Sequence, residues 1–187
     1  MSMKTEAELI ERILAGEWRN FAILVDKYEA KVYSYVHYLM GNKEDAEEVV
    51  QDTFVKAYRS LSQFRGEAAF STWLIRIAYF GCLTRFRLKV HDKVSIEKAE
   101  TSHAAGEDGP SRKLDLDDRS AILAKALDQL KPDERSVVTL FYYSESSIKE
   151  ISEVTDLTIS NVKILLHRSR KKLLEILKEM GVKENTL

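Results

Sequence analysis

Between Thr158 and Leu173 the chain carries five Lys or Arg and no acid. At 3.6 residues per turn, Ser160, Asn161, Lys163, Ile164, His167, Arg168 and Lys171 share one side of a helix. Ile159, Val162, Leu166, Ser169, Leu173 and Leu177 share the other. Uncompensated cations are what phosphate oxygens bind, and Ser, Asn and Arg near a helix start present donors that can reach base edges in a major groove. Ile164, central on the polar face, suits the methyl group of a thymine. Just upstream, Ser147 and Glu150 have the spacing of a capping box, a short helix follows, and Thr155-Asp156-Leu157 forms a turn. Residues 147–174 therefore read as a helix-turn-helix. A solvated basic face on an ordinary bundle helix would carry the same charge, but the capped helix and turn in front favour the DNA reading.

A second group lies in the run from Phe70 to Arg87. Thr72, Ile75, Arg76, Tyr79, Leu83, Phe86 and Arg87 fall on its outward face, with aromatic rings among arginines. Rings stack on unpaired bases and interleaved arginines neutralise the backbone, the chemistry of single-strand binding. The competing reading is a helix buried on two sides with Arg76 paired to an acid. For Phe70 and Trp73 a core role is favoured; for Tyr79, Phe80, Arg85 and Arg87 the periodicity leaves both readings open.

A third group is acidic: Glu44, Asp45, Glu47, Glu48 and Asp52. Acids suit a helix N-terminus because they oppose its positive dipole end, which suffices to explain Glu44 and Asp45. Glu48 and Asp52 lie deeper, on one outward face suited to a basic partner.

The elements that must hold these groups are all helices. Phe21, Leu24, Val25, Tyr28, Val32, Val36 and Leu39 form an amphipathic stripe that Gly41-Asn42 ends. A second helix starts near Lys43 and turns Ala46, Val49, Val50, Thr53, Phe54, Ala57, Tyr58 and Leu61 to one side. After a polar loop over 62–69, a third helix begins at Phe70, with Phe70, Trp73, Leu74, Ile77, Ala78 and Gly81 inward. A shorter helix before Gly16 packs on these three. Residues 93–112 break the periodicity with Ser, Thr, Gly and Pro and read as a flexible linker, spanning roughly 25 Å on average and joining two separately placed domains. Periodicity resumes at Leu114, Pro132 is placed to start a helix, and residues 113–187 form the second domain. No segment alternates as a strand. The expected fold is all-α: an N-terminal helical bundle over 1–92 and a helix-turn-helix domain over 113–187, joined by the linker.

Composition agrees. Apolar residues make up 44% and charged residues 32%, so the chain is globular, and seven Gly with two Pro are few for a β-rich protein. One cysteine, Cys82, rules out a disulfide framework, and no run is long and apolar enough for a signal peptide or membrane span; a cytoplasmic protein is expected. His37, His91, His103 and His167 are scattered and no Gly-rich phosphate loop exists, so neither enzymatic chemistry, a metal site nor a cofactor is expected. With a net charge of −1, any DNA-binding field comes from local clusters.

The order of motifs is distinctive. Gly41-Asn-Lys-Glu-Asp-Ala-Glu-Glu-Val-Val-Gln-Asp-Thr-Phe-Val-Lys-Ala-Tyr is followed by Phe64-Arg-Gly and Phe70-Ser-Thr-Trp-Leu-Ile-Arg-Ile-Ala. The linker and a helix-turn-helix ending Leu166-His-Arg-Ser-Arg-Lys-Lys-Leu come next. This resembles the extracytoplasmic-function (ECF) sigma factors of the bacterial sigma-70 family, over nearly the whole chain.

The resemblance implies a subunit that binds core RNA polymerase, through the β′ clamp helices and the β subunit, and directs it to promoter DNA. Asp45, Glu48, Val49, Gln51, Asp52 and Val55 would contact the polymerase. Phe64, Arg65, Phe70, Arg76, Tyr79, Phe80, Arg85, Arg87 and Lys89 would recognise and melt the −10 element, the 64–69 loop holding a flipped base. Ser160, Asn161, Lys163, Ile164, His167, Arg168 and Lys171 would read the −35 element. It also implies an anti-sigma factor that covers these surfaces. Two departures stand out. Where the family carries Asn and, four residues on, Asp or Asn in the melting helix, this chain has Phe80 and Thr84, so stacking is expected in place of polar readout. After Lys163 it has Ile164-Leu165 where a polar or basic pair is common, so its −35 sequence does not carry over from its relatives. The alternative function is a stand-alone helix-turn-helix regulator of duplex operators, which needs neither the aromatic–arginine helix nor the acidic one.

Overall fold

In the computed structural model, residues 3–97 and 116–182 are described. Among them eight α-helices and no strands are present. Four come from the N-terminal half: α1 (Met3–Leu14), α2 (Phe21–Met40), α3 (Lys43–Arg59) and α4 (Phe70–Glu97). Four come from the C-terminal half: α5 (Leu116–Asp128), α6 (Pro132–Tyr142), α7 (Ile148–Thr155) and α8 (Ile159–Glu179).

Local chemistry sets the joints. Gly41 ends α2 in the left-handed region (φ +76°) and donates its N–H to the His37 carbonyl. The Asn42 side chain then accepts from the Asp45 N–H at 2.9 Å and caps α3. Pro132 opens α6, with the Glu134 carboxylate accepting from the Lys131 N–H at 2.9 Å. Ser147 and Glu150 form the anticipated capping box on α7, and the Thr158 hydroxyl accepts from the Asn161 N–H to cap α8. Between α3 and α4, Gly81 faces Val49; a Cβ there would sit 3.2 Å from the Val49 Cγ1, so the glycine lets the two helices approach closely.

Leu24, Leu39, Leu61, Leu74 and Phe70 are almost fully buried in the N-terminal bundle. Each contributes about 1.5–3 kcal/mol by leaving water. The same apolar cluster continues into Leu127, Val137, Val138, Leu140 and Ile151 of the C-terminal half. The two halves therefore pack on each other, α2 against α6 and α4 against α6 and α7. The Tyr35 and Ser136 hydroxyls meet at 2.8 Å within the seam. Buried Arg135 donates to the Tyr38 carbonyl at 2.7 Å and pairs with Asp128. The Tyr38 and Tyr143 rings meet with centroids 3.9 Å apart.

This packing corrects several expectations. α4 runs to Glu97 and so takes in the first five residues of the expected 93–112 linker, since these hold no Gly or Pro; residues 98–112 lie outside the described residues. Thr72, Ile75 and Tyr79, expected on an outward face of α4, are buried because the C-terminal half covers them. Ile159, expected inward, is 48% exposed: it is the first residue of α8, ahead of the first turn that packs.

Candidate nucleic-acid interface

In α8 the inward positions Val162, Leu166, Ser169 and Leu177 are buried, and the Ser169 hydroxyl is satisfied by the Leu165 carbonyl at 2.8 Å. That orientation leaves Ser160, Asn161, Lys163, Ile164, His167, Arg168 and Lys171 together on the exposed side. Ile164 is 51% exposed, the apolar centre of a polar face. Among the described residues Lys163, Arg168 and Lys171 form no ion pair. Lys172, by contrast, is bonded to Glu134 at 2.8 Å, and the Arg170 guanidinium lies 4.7 Å from the Phe141 ring centroid and 5.2 Å from that of Tyr142. Burial alone would raise the Glu134 carboxyl; the Lys172 hydrogen bond and the Lys131 N–H outweigh it and hold it below the ordinary value.

The residues assigned to the −10 element do not form one exposed surface. Phe64, Phe70 and Trp73 make an aromatic cluster with centroids 5.3–5.5 Å apart; Phe70 is buried, Phe64 and Trp73 are half-buried, and Arg65 and the glycine after it project into solvent. Phe80 is 40% exposed with the Arg76 guanidinium 5.2 Å from its centroid, so a stacking ring is available where the family has Asn. Thr84 turns its hydroxyl back to the Phe80 carbonyl at 2.8 Å, so its hydrogen is already bonded within the helix. Arg76 and Tyr79 face the C-terminal half. Both terminal nitrogens of Arg76 bond Asp156 at 2.6 Å, and the Tyr79 hydroxyl donates to Asp133 at 3.3 Å. Burial, then the neighbouring Asp133 charge, pushes the Tyr79 phenol far above its ordinary value. The sequence-level alternative of a doubly buried helix with Arg76 paired to an acid therefore describes residues 72–79. Leu83 and Phe86 are half-buried, whereas Arg87 is exposed.

The acidic helix divides in the same way. Glu48, Gln51, Asp52 and Val55 are exposed along α3. Gln51 and Val55, with Val25, Glu29, Tyr33, Val50 and Phe54, line a shallow groove between α2 and α3, whereas Glu48 and Asp52 line one between α3 and α4. Asp45 and Val49 are buried instead. Burial alone would raise the Asp45 carboxyl, but Lys89, Arg85 and Asn42 donate to it and hold it below the ordinary aspartate value. Arg85 also bonds Glu48 at 2.6 Å. Arg85 and Lys89, taken from the sequence as DNA contacts, thus tie α4 to α3.

Asp133, Asp156 and Arg135 escaped the sequence reading. Their partners lie 54, 80 and 97 residues away, at Tyr79, Arg76 and Tyr38. Only Asp156 left a local signal, an aspartate in a Thr-Asp-Leu turn where a left-handed residue (φ 61°) is needed.

Two family models match the chain: Sigma-70 region 2 over residues 24–90 and Sigma-70, region 4 over residues 120–173. The RNA polymerase sigma-H factor of Pseudomonas aeruginosa is 31% identical over 179 residues, covering 91% of this chain and 93% of that one. The ECF RNA polymerase sigma factor SigW of Bacillus subtilis is 31% identical over 180 residues, covering 91% and 96%. The chain belongs to the ECF sigma factors. As a sigma factor it binds core RNA polymerase and directs it to promoters, which sets aside a stand-alone operator-binding regulator. The fold is shared with solved structures. RpoE of Bartonella quintana, crystallised with the anti-sigma factor NepR, superposes with a TM-score of 0.68 at 23% identity over 86% of this chain and 98% of that one. CnrH, solved with the cytosolic domain of CnrY, gives 0.66 at 23% identity over 91% and 96%. Among the described residues no helix of this sigma factor is long and apolar enough to cross a membrane.

Proposed function

We propose a division of labour within this sigma factor. The exposed face of α8 reads the −35 element as duplex, with Lys163, Arg168 and Lys171 on phosphates and Ser160, Asn161, Ile164 and His167 toward base edges. The 64–69 loop and the exposed part of α4, with Arg65, Phe80 and Arg87, bind and open the −10 element, Phe80 stacking on a base. The outer side of α3, at Glu48, Gln51, Asp52 and Val55, docks on the β′ clamp helices. Two domains, 1–92 and 113–187, carry these roles. The chain has no catalytic activity of its own, acts in the cytoplasm, and is bound by an anti-sigma factor, as RpoE is by NepR in its solved complex.

The observation that carries this reading is α8: three cations without ion-pair partners among the described residues, beside an exposed isoleucine, on a helix whose other face is locked into the core. The test is run-off transcription with purified core polymerase on genomic fragments. Wild-type protein is expected to yield promoter-dependent transcripts, Arg168→Ala to lose −35 duplex binding while retaining core, and Asp52→Lys to lose affinity for β′. Absence of any promoter-dependent transcript, or full activity of both variants, overturns the assignment.

A further inference from the structure

The surface of α4 proposed to meet the −10 element begins under the C-terminal half of the same chain. Arg76 is its centre. Its Nη1 and Nη2 donate to Oδ1 and Oδ2 of Asp156 at 2.6 Å each, and Nη1 also donates to the Glu153 carbonyl at 2.5 Å. A planar guanidinium gripping two carboxylate oxygens is the geometry in which arginine grips a phosphate, so Asp156 occupies the fork that a DNA backbone would use. One turn on, Tyr79 is buried and bonded to Asp133. Asp156 is itself the turn of the helix-turn-helix, three residues ahead of α8.

The setting distinguishes this contact from the rest of the seam. Tyr35–Ser136 is fully enclosed, whereas the Arg76 and Asp156 side chains are 35% and 61% exposed. A bidentate pair at a rim is strong enough to bias a position yet open to salt and to competing anions. Beside it the seam is lined mainly with polar groups, Lys31, Ser71, Thr72, Ser144, Ser146 and Glu150, which lose little by being exposed to water, with Ile75 and Val154 the apolar residues among them.

We propose that the Arg76–Asp156 clamp is an autoinhibitory latch: in the free chain Asp156 stands in for a phosphate on Arg76, keeps Tyr79 covered by the helix-turn-helix domain, and must let go before this part of α4 can meet DNA. The proposal rests on the reading of α4 as the −10 surface. Because apparent affinity scales with the fraction of molecules in the competent state, releasing the latch strengthens single-strand binding by the same factor that it raises the open population.

The experiment uses the full chain with a dye pair at Glu11→Cys and Glu179→Cys, both exposed positions. Cys82 is buried, which pushes its thiol pKa up to about 12 and keeps it out of the labelling. The variant is Asp156→Gly, since glycine keeps the left-handed turn that alanine would strain. In Asp156→Gly, and in Asp133→Asn to a lesser degree, the interdomain distance distribution is expected to shift outward at unchanged helical circular dichroism. Affinity for a random-sequence single-stranded oligonucleotide is expected to rise about tenfold. An unchanged distance distribution in Asp156→Gly overturns the latch, as does an opened chain with unchanged single-strand affinity. The −10 reading fails separately, if holoenzyme carrying Arg87→Ala, outside the seam, melts promoters at the wild-type rate.

Discussion

The Tyr35 and Ser136 hydroxyls, from residues 101 apart in sequence, meet at 2.8 Å with both residues buried. Each removes the other's need for water at the point where α2 meets α6. The two are not equally replaceable. Ser136, in the first turns of α6, can turn its hydroxyl to a carbonyl of its own helix, whereas among the described residues Ser136 is the hydrogen-bond partner that the fully buried Tyr35 hydroxyl has. Ser136→Ala is therefore expected to cost about 2 kcal/mol and Tyr35→Phe about 1 kcal/mol, the double variant costing less than the sum. Urea unfolding of the four proteins checks this; strictly additive losses would show that the hydroxyls do not depend on each other.

Gly41 is the second hinge of the same seam. Its φ of +76° disfavours any residue with a Cβ, and a Cβ built there lies 2.8 Å from the Asp128 Oδ1 and 3.3 Å from the Arg135 Nη2. Gly41→Ala thus strains the α2–α3 joint and pushes into the Asp128–Arg135 pair. A loss of about 1–2 kcal/mol from the backbone alone is expected, with a further loss from the displaced pair. Thermal unfolding of Gly41→Ala tests it, and a melting temperature equal to wild type would refute the close approach of Asp128.

Acid should unlock α4 from α3. Asp45 is buried and receives Lys89, Arg85 and Asn42, which hold its carboxyl below the ordinary value of 3.8. A depressed folded-state value means that the unfolded chain takes up the proton first. The stabilisation is complete above the ordinary value and is lost as pH falls through the depressed one. Asp45→Asn is expected to lower stability by about 2 kcal/mol at neutral pH. That deficit should shrink as the pH drops below about 4. A deficit that is the same at neutral and acid pH would mean the charge of Asp45 is not what binds the two basic side chains.

How much of this was legible beforehand follows from where each signal lives. Helix ends depend on near neighbours, so Gly41-Asn42, Pro132 and the Ser147/Glu150 box place α3, α6 and α7 to within a residue or two. Periodicity likewise separates the faces of α8, apart from Ile159 at its unpacked first turn. It fails on α4 for a physical reason. A helix packed on two sides has apolar residues all round, and no stripe distinguishes rings held for bases from rings held by another domain. Ile75 and Tyr79 lie on the side that meets α6 and α7, and nothing near them in sequence announces Asp133 or Asp156. The acids of α3 are similar: Asp45 satisfies a dipole argument locally, but its actual partners, Arg85 and Lys89, come from 40 and 44 residues away.

The same distinction gives a prediction for the DNA-binding face itself. Sequence counts five equivalent cations between Lys163 and Lys172, but the structure divides them. Lys163, Arg168 and Lys171 are exposed and unpaired among the described residues. Lys172 is held by Glu134 at 2.8 Å, and Arg170 by the Phe141 and Tyr142 rings. A cation that neutralises a phosphate releases a counterion, so its removal lowers the salt dependence of binding. Alanine at Lys163, Arg168 or Lys171 is therefore expected to reduce the slope of log affinity against log salt by about 1 each on −35 duplex. Arg170→Ala and Lys172→Ala should instead leave the slope unchanged while lowering stability, the former by about 0.5–1 kcal/mol through its lost ring contacts. Holoenzyme binding to a −35 duplex over a salt series, with unfolding measured on the same variants, separates the two sets. Equal slopes across all five variants would mean that the intramolecular contacts of Arg170 and Lys172 give way when DNA arrives, and that the charge of α8 acts as a whole.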